Sequence, residues 1–486
     1  MSREPIWGWA ALGLGGSALT AISGSRLVDV GLARWWFAPR IHPGQRATFY
    51  LGVAVISLAW LGLGRRLTAA RPPDVRRLWL IAAAWCAPLV VGPILFSYDV
   101  YSYLAQGEIL HLGLNPYHDA PVVLGKLGQS HMLAAVSPFW RRTTAPYGPL
   151  FLQAIGLIAG LTGAKLVASA LLIRFLELGG VILLAGFVPR LARTQGADPV
   201  RATWLMVLSP LVMLELVAAA HNDALLVGLM VGGVTLAAER RPLAGILVCA
   251  VAATIKLPAI VAVIFIAVAW AWESRDRLKV LGQSALAALA VGLAVSAVSG
   301  TGFSWVSPSL VSTPQKVHLA ITPATGLGWT LAWVLHALGV PVNAHHLESA
   351  IGVVAFALVG VIGVLLLWRT RIETMVRDLG VTLVAAALCG PALWPWYLIW
   401  GGAMLAVVPS TQRSRVLPAV AVISVFLVKP NGVLALPLPS APAVVAVYAL
   451  IAGAVGYAWL RRRRDDGRYR LASPRLSDRG ALVESQ

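Results

Sequence analysis

A carboxylate at the lip of an apolar run is the first residue of chemical interest in this chain. Asp99 stands in Ser97–Gly107 (SYDVYSYLAQG), with Tyr101 and Tyr103 close behind, after an apolar stretch from Leu78 to Phe96. That stretch is about long enough to cross a bilayer. An ionisable acid beside such a span is costly unless it has a task. Other groups of complementary chemistry recur further along: His221, Asn222 and Asp223 at the start of an apolar run, Lys256 inside ATIKLPAI, and Trp394, Trp396 and Tyr397 in LWPWY. Two polar stretches add Arg141 with Arg142, and Lys316 with His318. Together they suit glycosyl transfer from a lipid-phosphate sugar. A sugar hydroxyl is a weak nucleophile and needs a positioned base, the role assigned to Asp99. A phosphate leaving group departs as an anion and needs cations, for which Lys256, Lys316, Arg141 and Arg142 are the candidates. Sugar faces stack on aromatic rings, which suits Trp394, Trp396 and Tyr397.

The elements that must hold these groups are membrane helices. Apolar residues make up 58% of the 486 residues and charged residues 12%, and segments of span length recur from end to end. This predicts an all-α polytopic membrane protein with about 14 spans, give or take one or two. The first apolar segment, Ile6–Ser23, lacks a cleavage site and reads as a retained span. The net charge of +19 lies in short clusters between spans and in the tail, which fits the positive-inside pattern and not nucleic-acid binding. Placing the clusters around Arg65, Arg190, Arg240, Arg275, Arg369 and Arg413 in the cytoplasm puts Asp99, His221, Lys256 and Trp396 on the outer face. Arg26, Arg34, Arg40 and Arg46 then lie outside, against the rule. Residues 1–460 read as one integral membrane domain and 461–486 as a basic, disordered cytoplasmic tail.

Two apolar segments, Pro146–Gly163 and Thr325–Val340, are predicted to lie at the outer surface, because a crossing by the first would invert every later basic loop. Cys86, Cys249 and Cys389 fall in apolar runs with no metal spacing, so neither a disulfide framework nor a metal site is expected. Each candidate also has a plainer reading. Asp99 suits the N-cap of a helix starting near Val100. The rings suit an interfacial belt, and the loop arginines suit a solvated surface. Arg174 and Glu177, at i, i+3 within a span, suit an intramembrane ion pair. Glu215 lies in a span with no clear partner.

SYDVYSYLAQG, NPY, APYGPLF, AHNDALLVG and KLPA, in this order, resemble the actinobacterial polyprenol-phosphate-mannose-dependent α-1,6-mannosyltransferases (MptA/MptB type) of the GT-C superfamily. The resemblance runs from about Leu78 to about Tyr397. It implies a GT-C-type fold of about 13–14 membrane helices with juxtamembrane helices in the first outer loop. It implies mannosyl transfer with inversion from polyprenyl-phosphate-mannose to a mannan or lipomannan-type acceptor of the cell envelope. The enzyme would lie in the plasma membrane with its site extracytoplasmic. Asp99 matches the family's first-loop base. His221, Asn222 and Asp223, with Tyr101, Tyr103, His318 and the LWPWY rings, are expected to bind substrate, and Lys256 to meet the donor phosphate. No cofactor or metal is implied. A flippase or transporter of lipid-linked sugars, a glycan ligase, or an enzyme using another polyprenyl-phosphate sugar such as arabinose are the alternatives.

Overall fold

A computed structural model of the chain describes residues 6–432 apart from 26–43, 69–71, 307–321 and 391–392, with a few positions beyond. Lys316, His318, the arginines at 26, 34 and 40, and the tail from 461 lie outside the described residues. The described chain is helical with no β-strand among its elements, so the protein is an all-α polytopic membrane protein. Among the described residues, five helices are long and apolar enough to cross a membrane: Ile6–Gly24, Gln45–Arg66, Leu166–Thr194, Arg277–Val298 and Ala344–Arg369. The pair Val212–Ala218 and Asp223–Ala238 is apolar enough to join them when taken together, but is bent by 115° at its break, as in a broken span or a re-entrant loop. The larger tally expected from hydropathy counted runs that fold as shorter helices, among them Pro242–Ala253. The run around Lys256 shows why. A helix ends at Ala253, Lys256 adopts an extended backbone, and a short 3₁₀ turn over Leu257–Ala259 precedes the helix Ile260–Glu273.

Helix starts follow capping chemistry. Asp74, Asp198, Asp276, Asn343 and Thr322 each accept a backbone N–H of the helix that follows them, supplying partners that the first turn lacks. The longest exposed apolar faces belong to Arg277–Val298 and Ala344–Arg369, where Leu278, Leu286, Val353 and Val364 point outward, as lipid-facing residues do. Inside, Trp60 and Trp204 stack at 4.6 Å, and each indole N–H donates to the other's backbone carbonyl at 2.8 Å.

The stretch between residues 97 and 165 folds as a helical unit with its own core. The helix Asp99–His111 lies against Pro149–Thr162, close enough that a Cβ at Gly107 would stand 2.5 Å from the carbonyl oxygen of Ile155. Tyr103, Tyr147 and Phe151 meet edge to face in this core. The segment expected at the outer surface is therefore a helix of this unit. The second such segment forms the helix Pro323–Ala337. The unit docks on the membrane helices by backbone: Gly148 N–H donates to Ile255 (2.9 Å) and Leu150 N–H to Thr254 (3.1 Å), immediately before Lys256.

Arg174 fixes the other side of the same region. Fully buried, it donates to the carbonyls of Val90, Gly92, Pro93 and Ala218 at 2.6–2.9 Å. These carbonyls sit where the helix Val75–Val91 ends and where the bent pair breaks, positions that leave backbone acceptors without helical partners. Glu177 accepts from the Leu225 N–H at 3.1 Å. In place of the ion pair expected of Arg174 and Glu177, the structure gives each a backbone role at a helix break.

Candidate active site

Asp99 is the first residue of its helix, and the N-cap position belongs to Tyr98, with no side-chain cap. The capping role open to Asp99 in the sequence is not taken up, so its carboxylate is free to face the site. Its own N–H donates to the Ser97 hydroxyl at 3.0 Å. The approach is strained: Phe96 has φ 63° and donates its N–H to Pro430 at 2.8 Å, a left-handed conformation that a phenylalanine adopts only under constraint. Asp99 opens the outer unit, outside the membrane-spanning helices, and its side chain is 18% exposed. Burial pushes its carboxyl up to about 6 from 3.8; the Lys256 charge pulls it down, the Asp223 charge raises it, and Ser97 and Trp140 favour the anion.

Facing Asp99 is the break of the bent pair. Ala220 takes φ 53°, and the chain turns through His221, Asn222 and Asp223, all fully buried. His221 Nε2 lies 3.8 Å from Asp99 Oδ2. Lys256 bonds Asp223 Oδ2 at 2.8 Å and Asn222 Oδ1 at 3.4 Å, with its side chain 15% exposed. Its ammonium also stands 5.0 Å from the Tyr397 ring centre and 5.7 Å from that of Trp400, within cation–π range. An ammonium with three donors keeps capacity beyond these partners for an incoming anion.

The aromatic wall comes from the segment after 392. Trp396 stacks on His221 at 3.7 Å, Trp394 stacks on Trp396 at 4.9 Å, and Tyr397 stacks on Trp400 at 4.4 Å. The Trp400 indole donates to Asp223 Oδ1 at 2.6 Å. The break, the lysine turn, the acid and the rings therefore form one continuous cluster.

The chain is matched by a family model described as "Alpha-(1->6)-mannopyranosyltransferase, N-terminal domain" over residues 6–272, and by one described as "MptB C-terminal domain" over 324–460. The chain belongs to the alpha-(1->6)-mannopyranosyltransferase family. It is 35% identical over 400 residues to alpha-(1->6)-mannopyranosyltransferase A of Mycobacterium tuberculosis, covering 79% of this chain and 75% of that one. It is 35% identical over 390 residues to a probable alpha-(1->6)-mannopyranosyltransferase of Mycolicibacterium smegmatis, covering 72% and 68%. To alpha-(1->6)-mannopyranosyltransferase B of Corynebacterium glutamicum it is 27% identical over 446 residues, 83% of this chain and 72% of that one. No solved structure matches the chain. In this mannosyltransferase the site draws on both matched regions, with Asp99, His221 and Lys256 from the first and Trp394, Trp396 and Tyr397 from the second.

Other candidates stand apart from the cluster. Arg141 is spent on its own loop, donating to the carbonyls of Val136 (3.0 Å) and Ala134 (3.1 Å), and Arg142 is exposed. Tyr101 and Tyr103 are 1% exposed and sit in the core of the outer unit; Tyr103 packs there against Tyr147 and Phe151. Residues given no site role from the sequence take part instead: Trp400, Trp140, Ser97 and Glu215. Trp400 lies one helical turn beyond Trp396, so continuing the ring pattern by i+4 would have found it. Among the described residues no group of three or more His, Cys, Asp or Glu is placed to hold a metal ion.

Proposed function

We propose that this mannosyltransferase takes mannose from polyprenyl-phosphate-mannose and adds it, with inversion, to an α-1,6-mannan or lipomannan-type acceptor at the extracytoplasmic face of the plasma membrane. Asp99 accepts the proton of the acceptor's primary hydroxyl while that oxygen attacks the anomeric carbon. The bond from the anomeric carbon to the phosphate oxygen breaks, and its electron pair leaves on the lipid phosphate, toward Lys256. Trp394, Trp396 and Tyr397 offer ring faces to the sugar. The observation that carries the reading is the convergence of the Asp99 carboxylate and the Lys256 ammonium on the His221–Asp223 break. A base for the nucleophile and a cation for the leaving group are the two charges that this displacement needs.

The side of the membrane rests on the two ends of one helix. Asp223 opens Asp223–Ala238 at the site, and Glu239 and Arg240 follow its far end, about 24 Å away for 16 helical residues. There Arg190 pairs with Glu239 and Arg240 with Glu273. The basic clusters at Arg190 and Arg240 thus lie at the end remote from the chemistry, which supports an extracytoplasmic site under the positive-inside rule.

The test is transfer from labelled mannosyl-phosphopolyprenol to a short α-1,6-mannoside, with the arabinosyl donor run in parallel. Asp99→Asn is expected to abolish transfer while donor binding persists. Near-normal transfer by Asp99→Asn would reject the base, and preference for the arabinosyl donor would reject mannose.

A further inference from the structure

A cavity of about 530 Å³, a volume typical of small-molecule sites, opens at the end of the helices remote from the chemistry. Leu366 and Arg369 line it from the end of Ala344–Arg369, Thr374 from the following turn, and Arg377, Asp378 and Val381 from Met375–Cys389. Its place follows from the helix Ile260–Glu273, which starts shortly after Lys256 and runs about 20 Å to Trp272 and Glu273. Arg277 and Arg371 each set a guanidinium over the Trp272 ring, 4.2 and 4.3 Å from its centre, and Arg371 belongs to the turn that follows Arg369. The wall is rich in cations with donors to spare. Asp378 is buried, and its Oδ1 accepts two N–H bonds from Arg377 at 3.0 and 2.8 Å. That contact orients the guanidinium and leaves its other N–H donors unspent. Arg369 is exposed and bonds no described residue. Asp378 and the exposed Glu373 are the opposing charges. Leu366 and Val381 complete the lining with apolar surface. Leu365 and Trp368 stand exposed beside it, as residues do where the hydrocarbon meets the interface.

We infer that this cavity binds the phosphate of an anionic phospholipid, in the leaflet opposite Asp99. Guanidinium forks match phosphate oxygens in geometry and charge, and Arg369 and Arg377 bring two of them to one cavity, with Arg371 in the turn between. Arginines at this end of the helices also serve topology, but topology requires neither a cavity nor unspent donors on its lining. A free phosphate ion would satisfy the arginines equally. The apolar part of the lining and the exposed leucine and tryptophan beside it favour a phosphate that carries acyl chains, and basic pockets between membrane helices are sites for such headgroups. The headgroup would join two helices of unequal burial. Ala344–Arg369 is little buried within the protein, whereas Met375–Cys389 packs closely at Gly380 against Met404 and Gly401 of the helix Leu398–Leu405, which follows the LWPWY rings. A lipid held by Arg369 and Arg377 thus ties the exposed helix to the one that supports the aromatic wall.

The experiment titrates the full-length protein, delipidated in a neutral detergent, with phosphatidylglycerol, phosphatidylcholine or inorganic phosphate, and follows the thermal midpoint. Phosphatidylglycerol is expected to raise the midpoint saturably, and the other two to leave it in place. Each variant is compared with its own lipid-free midpoint, so a change in basal stability does not enter. Arg369→Gln should raise the half-saturating phosphatidylglycerol concentration about fivefold, the worth of one arginine at an anionic lipid. Arg377→Gln should do the same or more, and the double variant should lose about 20-fold or more. If loss of the Asp378 partner leaves Arg377→Gln unfolded, Arg369→Gln decides alone, since its side chain holds nothing else in place. Arg193→Gln removes an exposed charge away from the cavity and should titrate as wild type. Equal shifts with phosphatidylcholine and phosphatidylglycerol, or none with either, overturn the proposal. So does an Arg369→Gln half-saturation no weaker than that of Arg193→Gln. A shift produced by inorganic phosphate as readily as by the lipid assigns the arginines to a free anion and overturns the lipid.

Discussion

Gly148→Ala tests how the outer unit sets the distance between the acid and the lysine. Gly148 has φ −72°, which any residue adopts, so only space demands glycine there. A Cβ on Gly148 would overlap the carbonyl of Thr254 and stand 3.0 Å from the Ile255 nitrogen, against 3.4–4 Å for ordinary contact. The two backbones must part by about 1 Å, and a misplacement of that size at a reacting centre costs on the order of 100-fold in rate. The same movement strains the Gly148–Ile255 and Leu150–Thr254 hydrogen bonds, which together stabilise the docking by about 1–3 kcal/mol. Asp99 moves with the unit and Lys256 stays with the membrane helices. kcat/KM for mannosyl transfer is therefore expected to fall about 100-fold, with thermal stability in detergent lowered by the hydrogen-bond amount. Glycine-to-alanine replacement at Gly179, where nothing lies within 4 Å, is the control. Should Gly148→Ala retain kcat/KM within twofold of wild type, the rigid coupling of the outer unit to the lysine turn is wrong.

Lys256→Met should raise donor KM more than acceptor KM. Because the lysine charge lowers the proton affinity of Asp99, the acid limb of the rate profile should also move upward from near pH 6; unchanged donor dependence or an unmoved limb rejects the phosphate role. Arg174→Met leaves four carbonyls at two helix breaks without their donor, a loss of about 3–5 kcal/mol by comparison with broken buried charge networks, and its yield of folded protein should collapse; a thermal midpoint like wild type would show that the breaks hold without it. Asp99→Asn should be more stable than wild type by roughly 3 kcal/mol at pH 7.5. The reason is that a carboxyl raised from 3.8 to about 6 disfavours the folded state progressively as pH climbs through that window, and not below it. Thermal midpoints at pH 3.5 and 7.5 check the sign, and equal stability of the two proteins at pH 7.5 refutes it.

How much of this was legible in the sequence depended on contrast. Asp99, Lys256 and the His221–Asp223 triplet are polar groups set against apolar runs, so their types and positions stood out, and the charge clusters supplied a common face for them. The LWPWY rings were equally visible. What composition hides is the direction in which a ring points: Tyr103 and Trp396 look alike in sequence, but one packs inside the outer unit and the other stacks on His221. Arg141 shows the same limit for a cation, since the carbonyls it bonds belong to its own loop. The run through Lys256 is interrupted by lysine and proline, and it folds as two short helices around an extended residue. The π turn at Glu215 had no local signature. It depends on Arg174 and on the end of the helix Val75–Val91, both remote in sequence.

Departures from local rules cluster around the proposed base. Phe96 and Ala220 occupy left-handed backbone, Val212–Ala218 winds as a π turn, and Glu215 and His221 hold polar atoms unpartnered in the interior. Each of these is costly by itself, and each can persist only where neighbouring packing outweighs it. Arg174 and the backbone docking of Gly148 supply that support from two sides, one binding the helix breaks and the other fixing the outer unit. Relaxing the break to continuous helix would carry Asp223 and Asn222 away from Lys256 and turn His221 from Asp99. The strained conformation and the convergence of charges are therefore a single structural state, and a substitution that relieves the strain should improve stability at the expense of transfer.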